Sequence, residues 1–278
     1  MHQVRQPAVA GAFYPGQRVA LSSDVADLLT MARHGTEVNV HIGQTPKAII
    51  VPHAGYIYSG STAAQAYVRL AAARDTIRRV VLLGPVHRVP VRGLALPGVD
   101  SFATPLGEIE VDQAAIAQLA HLPQVVVSRA AHALEHSLEV QLPFLQTVLE
   151  DFTLLPLAVG DASPAQVAQV LDSLWGGPET LIVISSDLSH YLPYTAAQTI
   201  DQQTVQHILA LDGCVTHEQA CGGTPINGLL RAARQHQLQP RLLGLCNSGD
   251  SAGDKGRVVG YAALAFVTPT HAEAQHVH

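Results

Sequence analysis

The sequence has few charged residues and few cysteines, and both shortages limit what the protein can be. Charged residues make up 14% of the 278 positions, and the net charge is −6. No basic cluster stands out, so we expect no binding to nucleic acid or to an anionic membrane surface. The three cysteines, Cys214, Cys221 and Cys246, are odd in number and lack CxxC spacing. This pattern favours reduced thiols in a cytosolic protein.

Long apolar segments are also absent. No uninterrupted apolar run approaches the roughly 18 residues that a membrane-spanning helix needs. Residues 1–7 lack the apolar stretch of a secretory signal peptide. We therefore expect a cytoplasmic protein that does not enter a membrane. The hydrophobic fraction of 47% excludes a disordered chain and supports a sizeable core.

The chain does contain a regular alternation of short apolar segments and amphipathic segments. The apolar segments predict buried strands, and the spacing of apolar residues between them predicts helices. The predicted strands include 48–51, 79–83, 152–159, 180–184, 241–246 and 258–267, and the predicted helices include 18–33, 61–73, 163–174, 195–211 and 225–237. This order is typical of an α/β fold with a mostly parallel central sheet and helices on both faces. We expect one domain over residues 1–268 and a disordered tail over residues 269–278.

Histidines lie in the loops that follow three of the predicted strands. His53 comes after strand 48–51, His87 after strand 79–83 and His190 after strand 180–184. Asp250 follows the later strand 241–246. In open α/β sheets, ligands bind outside the carboxyl ends of the strands. We therefore expect the side-chain nitrogens of the three histidines to converge, within about 3–7 Å of one another if they serve one metal ion.

Two neutral imidazoles and one carboxylate with open positions are the ligand set of non-haem Fe(II) oxygenases, and similar sets bind Zn or Mn. A further histidine near such a metal ion can move protons for a bound substrate. Asp187, three residues before His190, is a candidate acceptor that fixes the tautomer of one imidazole. The alternative is a set of polar loop residues that only satisfy backbone groups.

Three further polar residues are candidates to orient the ligands or contact a substrate: Tyr56, His136 and Glu139. The segment 135–145 has helical spacing, with a kink predicted at Pro143. His136 and Glu139 would lie one turn apart on that helix. Packing, capping or surface roles remain open for all three residues. Cys221 is either a reactive thiol at a helix start or a buried structural cysteine.

Several segments together resemble the Memo proteins, which are called AmmeMemoRadiSam system protein B in bacteria and archaea. The matching segments are Val4–Pro15, Pro52–Tyr56, Gly84–His87, Glu135–Pro143, Ser185–His190, Cys221–Gly222 with Pro225–Ile226, and Asn247–Asp250. The resemblance covers nearly the whole chain in the family's order. It implies the three-layer α/β/α sandwich of class III extradiol dioxygenases, His53 and His87 as metal ligands, and His190 as the catalytic histidine. It also implies a radical-SAM protein and an AMMECR1-domain protein as partners.

The third metal ligand departs from the family's pattern. The pattern places a cysteine of the final loop at about Ser251, where the dioxygenases place a carboxylate. We assign the ligand to Asp250, one residue earlier, because a neutral hydroxyl is a weak ligand. Cys246 and Asp254 stay open as alternatives. An Asp250 ligand favours Fe(II) or Mn(II) over Cu(I), and Zn and Cu are not excluded.

The function that follows from these expectations is metal-dependent redox chemistry, with Fe(II), on an unknown small molecule or peptide. Cleavage of simple catechols is expected to be weak or absent, because a fold does not carry its function with it. One alternative is a metal-dependent hydrolase in which Zn²⁺ or Mn²⁺ activates water. Another is a non-catalytic module that binds a peptide or protein in the inherited cleft.

Overall fold

A computed structural model describes residues 2–35 and 45–269 of the chain. The strands are β1 Val4–Arg5, β2 Ala48–Val51, β3 Arg79–Pro85, β4 Leu94–Leu96, β5 Ser101–Thr104, β6 Gly107–Glu110, β7 Val125–Val127, β8 Thr153–Val159, β9 Thr180–Ser185, β10 His190–Leu192, β11 Gln239–Asn247 and β12 Val258–Val267. The α-helices are α1 Arg18–Gly35, α2 Tyr56–Tyr67, α3 Gln113–Gln118, α4 Arg129–Ala133, α5 Leu142–Val148, α6 Pro164–Ser173, α7 Tyr194–Leu209, α8 Gly223–Gln235 and α9 Ser248–Ser251. Short 3₁₀ segments span Val68–Ala73 and Glu139–Gln141. The predicted tail lies outside the described residues, except for Pro269.

The main sheet is mixed and has four parallel strands at its centre, in the order β2-β9-β3-β8. Antiparallel β12 continues the sheet beyond β2, and β11 pairs with the other edge of β12. On the far side, β4 is antiparallel to β8, and β7 is parallel to β4. The short strand β10 pairs with the start of β12. The carboxyl ends of β2, β3 and β9 therefore lie side by side.

Two apolar layers cover the two faces of this sheet. Side chains alternate along β3, so that Val80 and Leu82 pack with α1, α2 and α5, whereas Val81 and Leu83 pack with α3, α6, α7 and α8. A strand with both faces buried has a continuous run of apolar residues, so the sequence alone predicts the position of β3 well. The α/β class and the three layers are confirmed.

Local signals set several helix starts. Ser163 and Gln166 form a capping box at the start of α6, with Pro164 in the first turn. Asp112 caps α3 by accepting the backbone N–H of Ala115 at 2.8 Å. The start of α6 agrees with the predicted helix 163–174. Helix α2, however, begins at Tyr56 rather than at Ser61, so part of the expected loop is helical.

The segment 135–145 is not the kinked helix that its spacing predicts. The carboxylate of Glu135 accepts the backbone N–H groups of His136 and Ser137, both at 3.0 Å, which shapes a turn at this point. Helix α5 begins only at Leu142. Pro143 lies in its first turn, where a missing N–H costs no helical hydrogen bond.

A three-stranded sheet, β1-β5-β6, holds the N-terminal segment against the body of the protein. Across the described residues, no helix combines the length and the apolar character needed to cross a membrane.

Candidate metal centre

His53 lies just after β2, and its side chain is buried. Ser185 Oγ, at the end of β9, is 2.9 Å from His53 Nδ1 and 2.6 Å from the carbonyl oxygen of Ser137. Because a carbonyl oxygen can only accept, Ser185 gives its one proton to Ser137, and His53 Nδ1 donates to Ser185. Gln141 Nε2 donates to the same hydroxyl at 2.8 Å. His53 therefore carries its proton on Nδ1 and keeps a free lone pair on Nε2.

His87, just after β3, is fixed in the same way by a carboxylate. Glu135 Oε1 is 2.8 Å from His87 Nδ1, and Glu135 Oε2 accepts the backbone N–H of His87 at 2.6 Å. Burial favours a raised pKa for Glu135, but the hydrogen bonds from His87 and from backbone groups outweigh it and lower the pKa to about 2. Glu135 is thus ionised, His87 Nδ1 is the donor, and His87 Nε2 is free to bind a ligand.

His136 completes a group of three imidazoles. The ring centroids of His53 and His87 are 5.2 Å apart, and the His136 centroid lies 4.6 Å from that of His87 and 5.3 Å from that of His53. One nitrogen of each ring lies within 4.8 Å of the other two. We call His53, His87 and His136 the histidine cluster.

The environment keeps two of these imidazoles in the form that binds metals. Burial, and after it the nearby His87, lower the pKa of His53 to about 3. Burial, followed by the neighbouring histidines, lowers the pKa of His136 to about 4. Both rings are therefore neutral at pH 7, and a neutral imidazole is the metal-binding form.

Cys221 lies two residues before the start of α8 and brings a sulfur atom next to His53. Its Sγ is 3.4 Å from His53 Nε2. Ser186 Oγ accepts the backbone N–H of Gly222 at 2.9 Å, which holds this turn against the end of β9. Burial, reinforced by the charge of Asp187, raises the pKa of Cys221 to about 12, so the thiol is protonated. Cys221 is not in the group of donors that lie within 4.8 Å of one another, but its sulfur is beside His53 Nε2. If that sulfur also bound a metal ion held by His53, the thiol proton would be released.

His190 and Asp187 lie beside the histidine cluster rather than within it. His190 begins β10 and lines the same pocket as His87 and Cys221. Asp187 is buried and accepts the backbone N–H of His53 at 2.7 Å, while its second oxygen is 4.0 Å from His53 Nε2. Ser185, and not Asp187, therefore fixes the tautomer of His53. Burial raises the pKa of Asp187.

The structure does not bring the candidate third ligand Asp250 to the histidine cluster. Asp250 lies in α9, where it accepts the backbone N–H of Asn247 at 2.9 Å and the hydroxyl proton of Tyr194. The bond from Asn247 is part of the capping box of α9, which explains why an acidic residue follows the strand here. The group of donors within 4.8 Å of one another also leaves out Cys246 and Asp254. Ser251, the remaining candidate, donates its hydroxyl proton to the carbonyl oxygen of Ser248 at 3.3 Å.

The polar atoms of Tyr56 and Glu139 form hydrogen bonds with groups other than the ring nitrogens of the histidine cluster. The Tyr56 hydroxyl donates to the carbonyl oxygen of Val140 at 2.8 Å. Glu139 is fully buried, forms an ion pair with Arg5 and accepts the hydroxyl proton of Tyr14 at 2.6 Å. Glu139 thus anchors the N-terminal segment, and Tyr56 secures the start of α2.

Sequence reasoning assigned no role to Glu135, Ser185 or Gln141. Gln141 offered one usable signal, because it is a polar residue within an apolar segment, and a buried amide needs partners on every side. Its Nε2 also donates to the carbonyl oxygen of Pro52 at 2.9 Å, and its Oε1 accepts the Tyr67 hydroxyl proton at 2.9 Å. The pairing of Glu135 with His87 has no local signal, since 48 residues separate them.

The residues present fit a transition-metal ion. Metal–nitrogen bonds of about 2.0–2.1 Å place the nitrogens of a tetrahedral site about 3.4 Å apart. The nitrogens of the histidine cluster lie within 4.8 Å of one another, so each spacing needs to shorten by at most about 1.4 Å. Two of its rings have their second nitrogen hydrogen-bonded, as metal-binding histidines generally do. Imidazole donors suit Zn, Cu, Fe and Ni, and the nearby thiol is compatible with these metals.

Comparisons with known proteins agree with the fold and with the family resemblance. A profile described as "Memo-like protein" matches residues 5–265. A "MEMO1 family protein" of Aquifex aeolicus is 35% identical and covers 95% of this chain and 100% of its own length. A second "MEMO1 family protein", from Sulfolobus acidocaldarius, is 33% identical over 95% of this chain and 99% of its own. In fold, the chain is similar to the crystal structure of protein JW3007 from Escherichia coli K12, with a TM-score of 0.50, 14% identity, and coverage of 80% of this chain and 99% of that one.

Proposed function

This chain belongs to the Memo-like protein family, and we propose that it is a metalloprotein that binds Fe(II) at the histidine cluster and performs redox chemistry on a small molecule. The observation that carries the proposal is the convergence of three imidazoles, two of which are fixed with a free Nε2. Bound iron would supply electron transfer and reactivity toward oxygen. The chain's own side chains would bind and orient the metal ion and move protons at the substrate.

The chain's contribution to the metal site is orientation. Ser185 and Glu135 hold His53 and His87 in one tautomer each, so neither ring has to reorient when a metal ion arrives. Cys221 is the further donor beside His53. The thiol proton has to leave before the sulfur can bind a metal ion, so binding through Cys221 releases a proton.

The adjoining pocket supplies the space for a substrate and the groups that handle protons. It has a volume of about 750 Å³ and is lined by His87, His190, Leu192, Ile200, Gln203, His217, Glu218, Gln219 and Cys221. That volume holds a small molecule or the side chain of a peptide. His190 is the candidate for moving a proton at the substrate. Asp187, with its raised pKa, is a candidate to hold a proton beside His53.

Simple catechols are expected to be poor substrates. The dioxygenase ligand set contains a carboxylate, and among the described residues the histidine cluster contains none. Rapid ring opening of catechol or protocatechuate by the Fe(II)-loaded protein would contradict this part of the proposal. Partnership with a radical-SAM protein and an AMMECR1-domain protein is a further proposal, which rests on family resemblance alone.

Metal analysis of the anaerobically purified protein tests the proposal. We expect about one iron per chain, and loss of most of it in His53→Ala. His121→Ala is a matched control, since His121 is exposed and lies outside the histidine cluster. Iron retained by His53→Ala at the wild-type level would contradict the assignment. A chain that binds no metal under these conditions would favour the non-catalytic binding module.

A zinc hydrolase is the second candidate, and one observation favours it. Three histidines without a carboxylate are the ligand set of a known class of catalytic zinc sites. The same metal analysis separates the two candidates, because a hydrolase would retain zinc in the presence of competing Fe(II). It would also cleave activated esters at a rate that His53→Ala abolishes.

A further inference from the structure

A second group of metal-binding side chains lies at the surface, at the end of α7. His207 is in the last turn of this helix, and Asp212 and Cys214 are in the loop that follows it. His207 Nδ1 is 3.1 Å from Asp212 Oδ2 and 3.4 Å from Cys214 Sγ. The three donor atoms all lie within 4.8 Å of one another. We call His207, Asp212 and Cys214 the surface cluster; it shares no residue with the histidine cluster.

The two distances from His207 are close to those between neighbouring donors around a tetrahedral zinc ion. Zinc–nitrogen and zinc–oxygen bonds of about 2.0–2.1 Å and zinc–sulfur bonds of about 2.3 Å place neighbouring donors about 3.3–3.6 Å apart. The two distances from His207 fall at or just below this range. No large rearrangement is needed to seat an ion, because all three residues lie within one short stretch of chain.

The surroundings favour a cation and leave the site open. The C-terminal end of α7 carries the negative end of the helix dipole, and Asp212 together with an ionised Cys214 adds two negative charges. Arg234 is a positive charge near the loop, and its guanidinium donates to the carbonyl oxygen of Leu211. Cys214 is exposed, and the side chains of His207 and Asp212 are 39% and 47% exposed. A water molecule can therefore supply the fourth ligand.

The backbone already holds the loop in a compact form. The backbone N–H of Asp212 donates to the carbonyl oxygen of His207 at 3.0 Å, which returns the chain to the helix end. Gly213, with φ of 68°, turns the chain so that Cys214 faces back toward His207. Little conformational entropy is lost on binding a metal ion, because the donors are already close together.

We propose that the surface cluster binds Zn²⁺ through His207 Nδ1, the Asp212 carboxylate and the Cys214 thiolate. Binding releases the thiol proton. It also moves the ring proton of His207 from Nδ1 to Nε2, which ends the hydrogen bond from Nδ1 to Asp212. The site is a second metal position, independent of the proposed function of the histidine cluster.

Alkylation of Cys214 by iodoacetamide, followed by peptide mass spectrometry, tests the proposal on the full chain. The thiolate is both the nucleophile and the zinc ligand, so Zn²⁺ should slow alkylation of Cys214 at least about tenfold in the wild type. His207→Ala and Asp212→Asn should each lose most of this protection. His121→Ala, which removes an exposed histidine elsewhere, should keep it. The readout is specific to the Cys214 peptide, so zinc bound at the histidine cluster does not affect it.

Two results would overturn the proposal. One is an alkylation rate of Cys214 that does not change with added Zn²⁺. The other is equal protection in the wild type and in His207→Ala, which would mean that the thiol binds zinc without the cluster. Both substitutions are at partly or fully exposed positions, so the variants should fold.

Discussion

Glu135 is the residue on which the geometry of the candidate metal centre depends most. Its buried carboxylate accepts one ring N–H and one backbone N–H from His87, together with the backbone N–H groups of His136 and Ser137. One side chain thus orients the ring of one candidate ligand and the backbone of another. Removing its charge should disturb both without removing a metal ligand.

We expect Glu135→Gln to weaken metal binding by roughly 10–100-fold, the usual effect of losing a group that orients a ligand. The amide has the size of the carboxylate, but its NH₂ group cannot accept the N–H bonds that one carboxylate oxygen accepts. Competition with a chromogenic chelator measures the affinity. Glu150→Gln, at an exposed glutamate, is the control. Unchanged affinity in Glu135→Gln would show that the orientation of His87 does not depend on this carboxylate.

His132 should make the stability of the protein depend on pH. It is buried, its Nε2 donates to the carbonyl oxygen of Ala95 at 2.7 Å, and its Nδ1 has no partner. Burial lowers its pKa from 6.5 to about 4. Between these values the unfolded chain binds the proton more readily, so the free energy of unfolding is fully present above pH 6.5 and falls as the pH drops toward 4.

The expected loss from His132 between pH 6.5 and 4 is about 3 kcal/mol, by the conversion of a pKa shift into free energy. Urea unfolding at several pH values measures it. His132→Gln can keep a donor toward Ala95 but cannot titrate, so its free energy of unfolding should fall less steeply over this range. Parallel curves for the two proteins would contradict the assignment. His53 and His136, whose pKa values are also lowered, add a slope that both proteins share.

At the scale of elements, the N-terminal segment packs against the candidate metal centre. Arg5 in β1 forms a buried ion pair with Glu139, and it donates to the carbonyl oxygens of His132 and Glu135 at 3.1 Å and 2.6 Å. The Phe13 ring lies 4.8 Å from the His136 ring. The first strand therefore supports the turn that carries Glu135 and His136.

Arg5→Met should destabilise the protein by about 3–5 kcal/mol, because it leaves the Glu139 carboxylate buried without its counter-ion. Thermal or urea unfolding measures the change. Metal affinity should fall as well, since the turn loses two of its hydrogen bonds. Arg231→Met, at an exposed position of α8, should change the free energy of unfolding by less than about 0.5 kcal/mol. A loss as small as this in Arg5→Met would mean that the ion pair does not hold the segment.

The strands were predictable from the sequence because burial on both faces makes them continuous apolar runs, as in β3 and β9. The turn at Glu135 was not predictable, because its shape depends on the Glu135 carboxylate. This carboxylate accepts the backbone N–H of His87, in the loop after β3. Helix α2 begins at Tyr56, earlier than predicted. The prediction was wrong here because Gly55 and Tyr56 are residues typical of a loop. Apolar spacing reports which face of an element is buried, and it contains no information about side chain to backbone contacts.

At the scale of the whole molecule, strand order determines which strand ends become neighbours. β2, β9 and β3 are adjacent in the sheet, although at least 27 residues lie between any two of them in sequence. The rule that ligands bind at the carboxyl ends of parallel strands placed His53 and His87 at this edge. The rule does not bring Asp250 to the histidine cluster, because β12 lies between β11 and β2 in the sheet. Nor could it find Cys221, which reaches the site from the start of α8.

The most direct test of the central claim is an anomalous difference map at the iron edge, from crystals grown anaerobically with Fe(II). The account predicts one strong peak at bonding distance, about 2.0–2.3 Å, from Nε2 of both His53 and His87, with His136 or Cys221 as a further ligand. A peak at Asp250 with none at the histidine cluster, or no peak in the described part of the chain, would contradict it.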